Sequence, residues 1–220
     1  MRRLAIFSAM LLASPGSACM VLPSGAAFMQ TDVGNQPEIQ AASEQAQVAL
    51  RIQEATEEVV SHTGIKANFS VSPSDVTNAL ANIDKQGNRV LLYNPSYMAR
   101  AYGQICKDWG IMGIIAHEIG HHLQGHILKR DAADFANFEL EADDFAGFVM
   151  YRMGATLEEA QRSTKQLVAE RGSTSHPGKA QRLKALETGW LRARAITAHE
   201  HLASEQRQMR SPAAPPDPSP

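Results

Sequence analysis

The spacing of hydrophobic residues changes along the chain, and each change marks an element. From residue 37 to about 61, Ile39, Ala42, Ala46, Leu50 and Val60, with Ile52, Ala55 and Val59, recur at helical intervals. That predicts an amphipathic helix, with Pro37 suited to its first turn. His62-Thr63-Gly64 stops it, and His62 falls near solvent at its C-terminal end. Short extended runs follow at residues 68–72, 78–83 and Arg89–Tyr93. They predict three strands, with a hairpin turn at 85–88 in which Gly87 supplies positive φ. We expect a small antiparallel sheet, then a short helix from Pro95. A more apolar stretch comes next: Ile111, Met112, Ile114, Ile115 and Ala116, continued by Ile119, Leu123 and Ile127. It predicts a helix buried on most of its circumference, capped by Asp108 and ending near Lys129. Further helices are expected over 132–153, closed by Gly154, and from a capping box at Thr156 and Glu159 to about Glu170. After a polar loop at 171–175, a last helix is expected over 177–206, with Leu183, Leu186, Trp190, Leu191 and Ile196 on its apolar side. The fold class is α+β, mostly helical, with the small sheet packed on the central apolar helix.

Length and composition add a domain plan. The 220 residues, 44% hydrophobic and 20% charged, suit one soluble domain with a single core, placed at 37–206. Arg2 and Arg3, the apolar run 4–13 and the small residues Gly16, Ser17 and Ala18 follow the order of a secretory signal peptide, so residues 1–26 are expected to be removed. Cleavage after Ala18 would leave Cys19 first, as in a lipoprotein, although Gly16 stands where the usual lipobox has an aliphatic residue. Cleavage after Ala26 is the other choice. Residues 207–220 are expected to be a disordered tail, five prolines falling in its last ten residues. Losing Arg2 and Arg3 takes the formal net charge from −2 to −4, so nothing electrostatic favours a nucleic-acid partner. Without Cys19, Cys106 is a lone, small apolar residue and no nucleophile.

The apolar helix carries the chemistry. Within HEIGHH, residues 117–122, His117 and His121 are one turn apart and share a face. Two imidazoles so placed can meet one Zn²⁺ at roughly 2.0–2.1 Å. Glu118 projects about 100° around the helix, where its carboxylate can take a proton from the attacking water. A catalytic zinc site needs a third protein ligand and one open position. The metzincin spacing fails here: Gln124 and Ile127 stand where Gly and His are required, and His126 is then a helix-surface histidine. The next helix offers FELEADD, residues 138–144. Glu139 and Asp143 are four apart and share a face with Ala146, Gly147 and Met150, small enough in part for close approach to the HExxH helix. Glu139 is therefore the expected third ligand, and Asp143 the group that accepts the spare imidazole N–H of a ligand histidine. Glu141 points nearly the other way and reads as a solvated charge.

HEIGHH, then ELEAD, then SHPGKAQR at residues 175–182 resembles the gluzincin metallopeptidases of the HtpX, BepA and CAAX-prenyl-protease group. The resemblance implies a zincin-like metallopeptidase core, one Zn²⁺ per chain on His117, His121 and Glu139, Glu118 as general base, and Asp143 orienting a histidine. It also implies that His176 can approach the metal as a reversible fourth ligand and that Arg182 stands near the site, beside Asp143 or an oxyanion. The expected function is an exported, periplasmic or secreted zinc endopeptidase acting on unfolded or misassembled polypeptides, with association at a membrane surface or with outer-membrane proteins. The transmembrane helices and helical repeats of those relatives are missing from the pattern. A chaperone-like or binding protein with a closed zinc site would carry the same residues, and stays open as the alternative.

Overall fold

The computed structural model describes residues 36–102, 109–129, 134–173 and 176–210. The expected signal peptide with Cys19, the residues Cys106 and Asp108, the latter the expected cap, and the expected tail from 211 lie outside the described residues.

Eleven of the fifteen residues of the helix Trp109–Leu123, which we label α3, are buried, as its apolar run requires. It is the third of seven α-helices among the described residues, and the others are arranged around it. Helix α1 (Gln36–Ser61) covers one side through Val48, Ile52, Ala55 and Val59. Those four make a narrower seam than the sequence suggested, since Ala46 and Leu50 face solvent. The strands β1 (Ser70–Pro73), β2 (Ala79–Ile83) and β3 (Arg89–Tyr93) lie against α3, followed by α2 (Pro95–Tyr102). Helix α4 (Phe135–Arg152) packs on α3, and α7 (Lys179–Arg210) packs on α4. Helices α5 (Leu157–Ala160) and α6 (Arg162–Leu167) join the last two. Among the described residues no helix is long and apolar enough to cross a membrane.

The sheet is mixed, which corrects the expected antiparallel pairing. Its order is β1-β3-β2, with β2 antiparallel to β3 and β1 parallel to it, so that Leu91 pairs with Ala81 on one side and Val71 on the other. The β2–β3 hairpin is the expected one: Asp84 Oδ1 accepts from the N–H groups of Gln86 and Asn88, and Gly87 has φ 86°. The connection from β1 to β2 spans residues 74–78, whose reach of roughly 16 Å exceeds the roughly 10 Å across two strand spacings. The chain can therefore step over the place that β3 later fills. Residue periodicity carries no information on that choice.

Helix boundaries also moved. Helix α3 ends at Leu123 rather than near Lys129, because Gly125 takes φ 71° and a 3₁₀ turn over His126–Leu128 follows. Gly154, at φ 90°, closes α4 as expected. Thr156 and Glu159 form the expected reciprocal capping box, but α5 breaks after one turn and α6 ends at an extended Val168, short of Glu170. Helix α7 begins two residues later than expected and runs through the first four residues assigned to the tail.

The α4–α7 crossing is backbone to backbone. A Cβ at Gly147 would overlap the carbonyl of Leu186, and one at Gly189 the carbonyl of Asp144. Gly147 thus serves α7 and not, as the sequence suggested, the approach of α4 to α3. That second approach depends on Gly120, where a Cβ would sit 3.2 Å from Ala142 Cα. Together these close contacts bring α3, α4 and α7 to one place.

Candidate metal centre

That place is where the three motifs meet. On α3, the Nε2 atoms of His117 and His121 lie 3.1 Å apart. Glu139, from the first turns of α4, puts Oε2 3.5 Å from His117 Nε2 and Oε1 3.6 Å from His121 Nε2. The three side chains are only 13, 14 and 16% exposed. An ion bound tetrahedrally at 2.0–2.1 Å requires ligand atoms about 3.3–3.4 Å from one another. The Nε2–Nε2 separation and the approach of each imidazole to its nearer Glu139 oxygen are close to that spacing, and among the described residues this is the group able to hold a metal, with one atom from each residue within 4.8 Å of the others.

The surroundings explain why the triangle is held open. Asp143, one turn after Glu139 and buried, places Oδ1 2.9 Å from His117 Nδ1, so the His117 proton belongs on Nδ1 and the Nε2 lone pair faces the triangle. Arg182, from the first turns of α7, clamps Asp143 with Nε on Oδ2 at 2.6 Å and Nη2 on Oδ1 at 2.8 Å, and reaches Glu139 Oε2 with Nη1 at 3.0 Å. Its Nη2 also lies 3.1 Å from His117 Nδ1; both carry hydrogens aimed at the same Asp143 oxygen, so this is a contact between two donors. Burial works against the charge on Asp143, but the Arg182 fork and His117 outweigh it and keep its carboxyl below the usual range. Glu139 is also held well below that range: burial opposes its charge, and the neighbouring His117 and His121, with the Arg182 charge, overcome it. Burial likewise disfavours a charged His117, yet the Asp143 charge and hydrogen bond, with Glu139, raise its pKa to about 10. With His117 neutral, Glu118, Glu139 and Asp143 against Arg182 leave two negative charges, which a divalent cation would cancel.

His121 is held differently, by residues that sequence reasoning set aside. Its Nδ1 lies 3.0 Å from His126 Nδ1, and His126 Nε2 lies 2.8 Å from Glu141 Oε2. His126 is buried and stacks on Phe138 with ring centroids 4.5 Å apart, so it is not the surface histidine expected of a longer α3. Burial is the main cause that lowers its pKa. Glu141 is half exposed at 53% and bonded, where a solvated charge was expected. The signal that could have found the pair is Gly125: read as a helix terminator, it turns the following His126 back toward α4. His122, next to the second ligand, is fully buried, stacks on Phe69 and places Nε2 3.2 Å from Val90 O. Arg89 returns the contact, donating to His122 O at 2.6 Å. The pair fastens β3 to the motif helix.

Glu118 accepts a 2.7 Å hydrogen bond from the backbone N–H of Ala81 on β2, an outer strand of the sheet. Both line a cavity of about 780 Å³ that also takes in the triangle, Arg182 and His176. His176 is exposed on the cavity wall and is not among the converging ligand atoms. The model of peptidase family M48 matches residues 44–137. Over that stretch, somewhat under half of its length, the chain is similar to peptidase family M48. The match takes in the later part of α1, the sheet and the motif helix with His117, Glu118 and His121. Glu139, Asp143 and Arg182 lie beyond its end, so their place in the candidate site rests on the geometry above. Neither the curated proteins nor the solved structures gave a match.

Proposed function

We propose that this metallopeptidase is a zinc endopeptidase of the cell envelope, with one Zn²⁺ per chain, acting on unfolded or misassembled proteins. The observation that carries the reading is the convergence of His117, His121 and Glu139, with one ligand atom from each within 4.8 Å of the others, and Glu118 on the same cavity. A zinc held there supplies a Lewis acid that polarises the scissile carbonyl and acidifies water. Glu118 takes the proton of the attacking water at its carboxylate and delivers it to the leaving amine. Its bond to Ala81 N–H aims that carboxylate at β2, whose outer edge offers main-chain groups to an extended peptide. Pairing along an edge engages the substrate on both sides of the scissile bond, which suits internal bonds. Arg182 fixes Asp143 and Glu139, and Asp143 fixes the His117 tautomer. Envelope location rests on the Arg2-Arg3 and apolar pattern of the first residues, and contact with membrane surfaces or outer-membrane proteins follows from that location.

The test is cleavage of casein by the full chain and by Glu118→Gln. The wild type should degrade it, while the variant keeps its zinc and loses activity by about 10²-fold or more, as expected for a general base. Equal rates in the two proteins would remove Glu118 from the mechanism.

A further inference from the structure

We propose that His126 and Glu141 form a positioning relay that holds the ligand His121 in the tautomer and orientation a metal needs; the inference rests on the metal-site reading of His117, His121 and Glu139. An ionised Glu141 only accepts hydrogen bonds, so its 2.8 Å contact places a proton on His126 Nε2. A neutral His126 then has a bare Nδ1, which can only accept. The His121 Nδ1 lying 3.0 Å away must therefore donate, which leaves the lone pair of His121 on Nε2. That atom faces His117 Nε2 and Glu139. One acceptor at the surface thus settles the protonation of four ring nitrogens, ending at the ligand atom His121 Nε2.

The two ligand histidines are secured by unlike means. Asp143 acts on His117 directly, in a buried setting tied to Arg182. His121 reaches its carboxylate through an intervening ring that is itself stacked on Phe138. The relay costs no extra helix: Gly125 turns the chain so that His126, five residues after the ligand, comes back to face it.

Zn²⁺ affinity of the full chain, measured by chelator competition on His126→Leu and His126→Asn, separates a relay from simple packing. Leucine fills the space and offers no acceptor, whereas the asparagine Oδ1 can take the place of Nδ1. His126→Leu should bind zinc about 10–100-fold more weakly than wild type, the usual cost of losing a group that orients a metal ligand. His126→Asn should stay within about threefold, because the acceptor survives. Glu141→Ala, at a half-exposed position that does not endanger folding, should weaken zinc in the same direction. Melting of the zinc-free proteins supplies the control, since the two His126 variants should separate in affinity whatever their relative stability. Wild-type affinity in His126→Leu and Glu141→Ala, or an equal loss in the leucine and asparagine variants, would overturn the relay. A wild-type chain that binds no zinc overturns the metal site itself, which is a different result.

Discussion

At the scale of single residues the centre is a problem in proton placement. Two Nε2 lone pairs 3.1 Å apart repel unless a positive charge lies between or beside them. A metal ion answers that need, and so does a proton on His117, which its carboxylate neighbours favour up to about pH 10. Zinc and proton therefore compete for one imidazole. At pH 7–8 the metal-free protein carries that proton and the zinc form does not, so loading should release about one proton from His117. Calorimetry in buffers of different ionisation enthalpy would count it, and the apparent affinity should rise about tenfold per pH unit from pH 7 to 9. A loading that releases no proton would contradict the assignment of His117. The sign for stability is opposite. In metal-free protein the raised pKa of His117 stabilises the fold fully below 6.5, and that contribution is lost as pH climbs through about 10.

At the scale of elements, the site is a meeting of helix turns, and this decides what could be read from the residues alone. His117 with His121, and Glu139 with Asp143, were legible because each pair sits four apart on a regular helix, where periodicity fixes the shared face. His126 and Glu141 were not, since their meeting depends on one left-handed glycine and on the path between α3 and α4. The strand order was hidden for a related reason, because alternation marks a strand without naming its neighbour. His176 and Arg182 came from the family resemblance. The structure brings Arg182 onto Asp143 and Glu139 and leaves His176 on the cavity wall. Arg182 depends in turn on the α4–α7 crossing. Leu186, whose carbonyl meets Gly147, is one turn after Arg182 on α7. Gly147→Ala should force the helices apart, costing about 1–3 kcal/mol in urea unfolding, typical of an overpacked contact, and weakening zinc as Arg182 withdraws. A variant as stable as wild type would mean that the crossing is loose and that Arg182 is held some other way.

At the scale of the whole molecule, one buried helix organises the rest. The α1 seam, the β3 contacts made by Arg89 and His122, and the Gly120 approach to α4 hold α3 from three sides, so the ligand pair stands on a rigid base. The outer strand β2 and α4 line one cavity beside it, which brings Glu118 and the candidate ligands within reach of one another. The family match ends before Glu139, and a direct test of Glu139 as third ligand is therefore the most informative measurement. Metal analysis of the purified full chain beside Glu139→Gln supplies it. The account predicts one zinc per wild-type chain and a large loss in the variant, with both proteins folded. Zinc retained at full occupancy in Glu139→Gln, or none in the wild type, would contradict it.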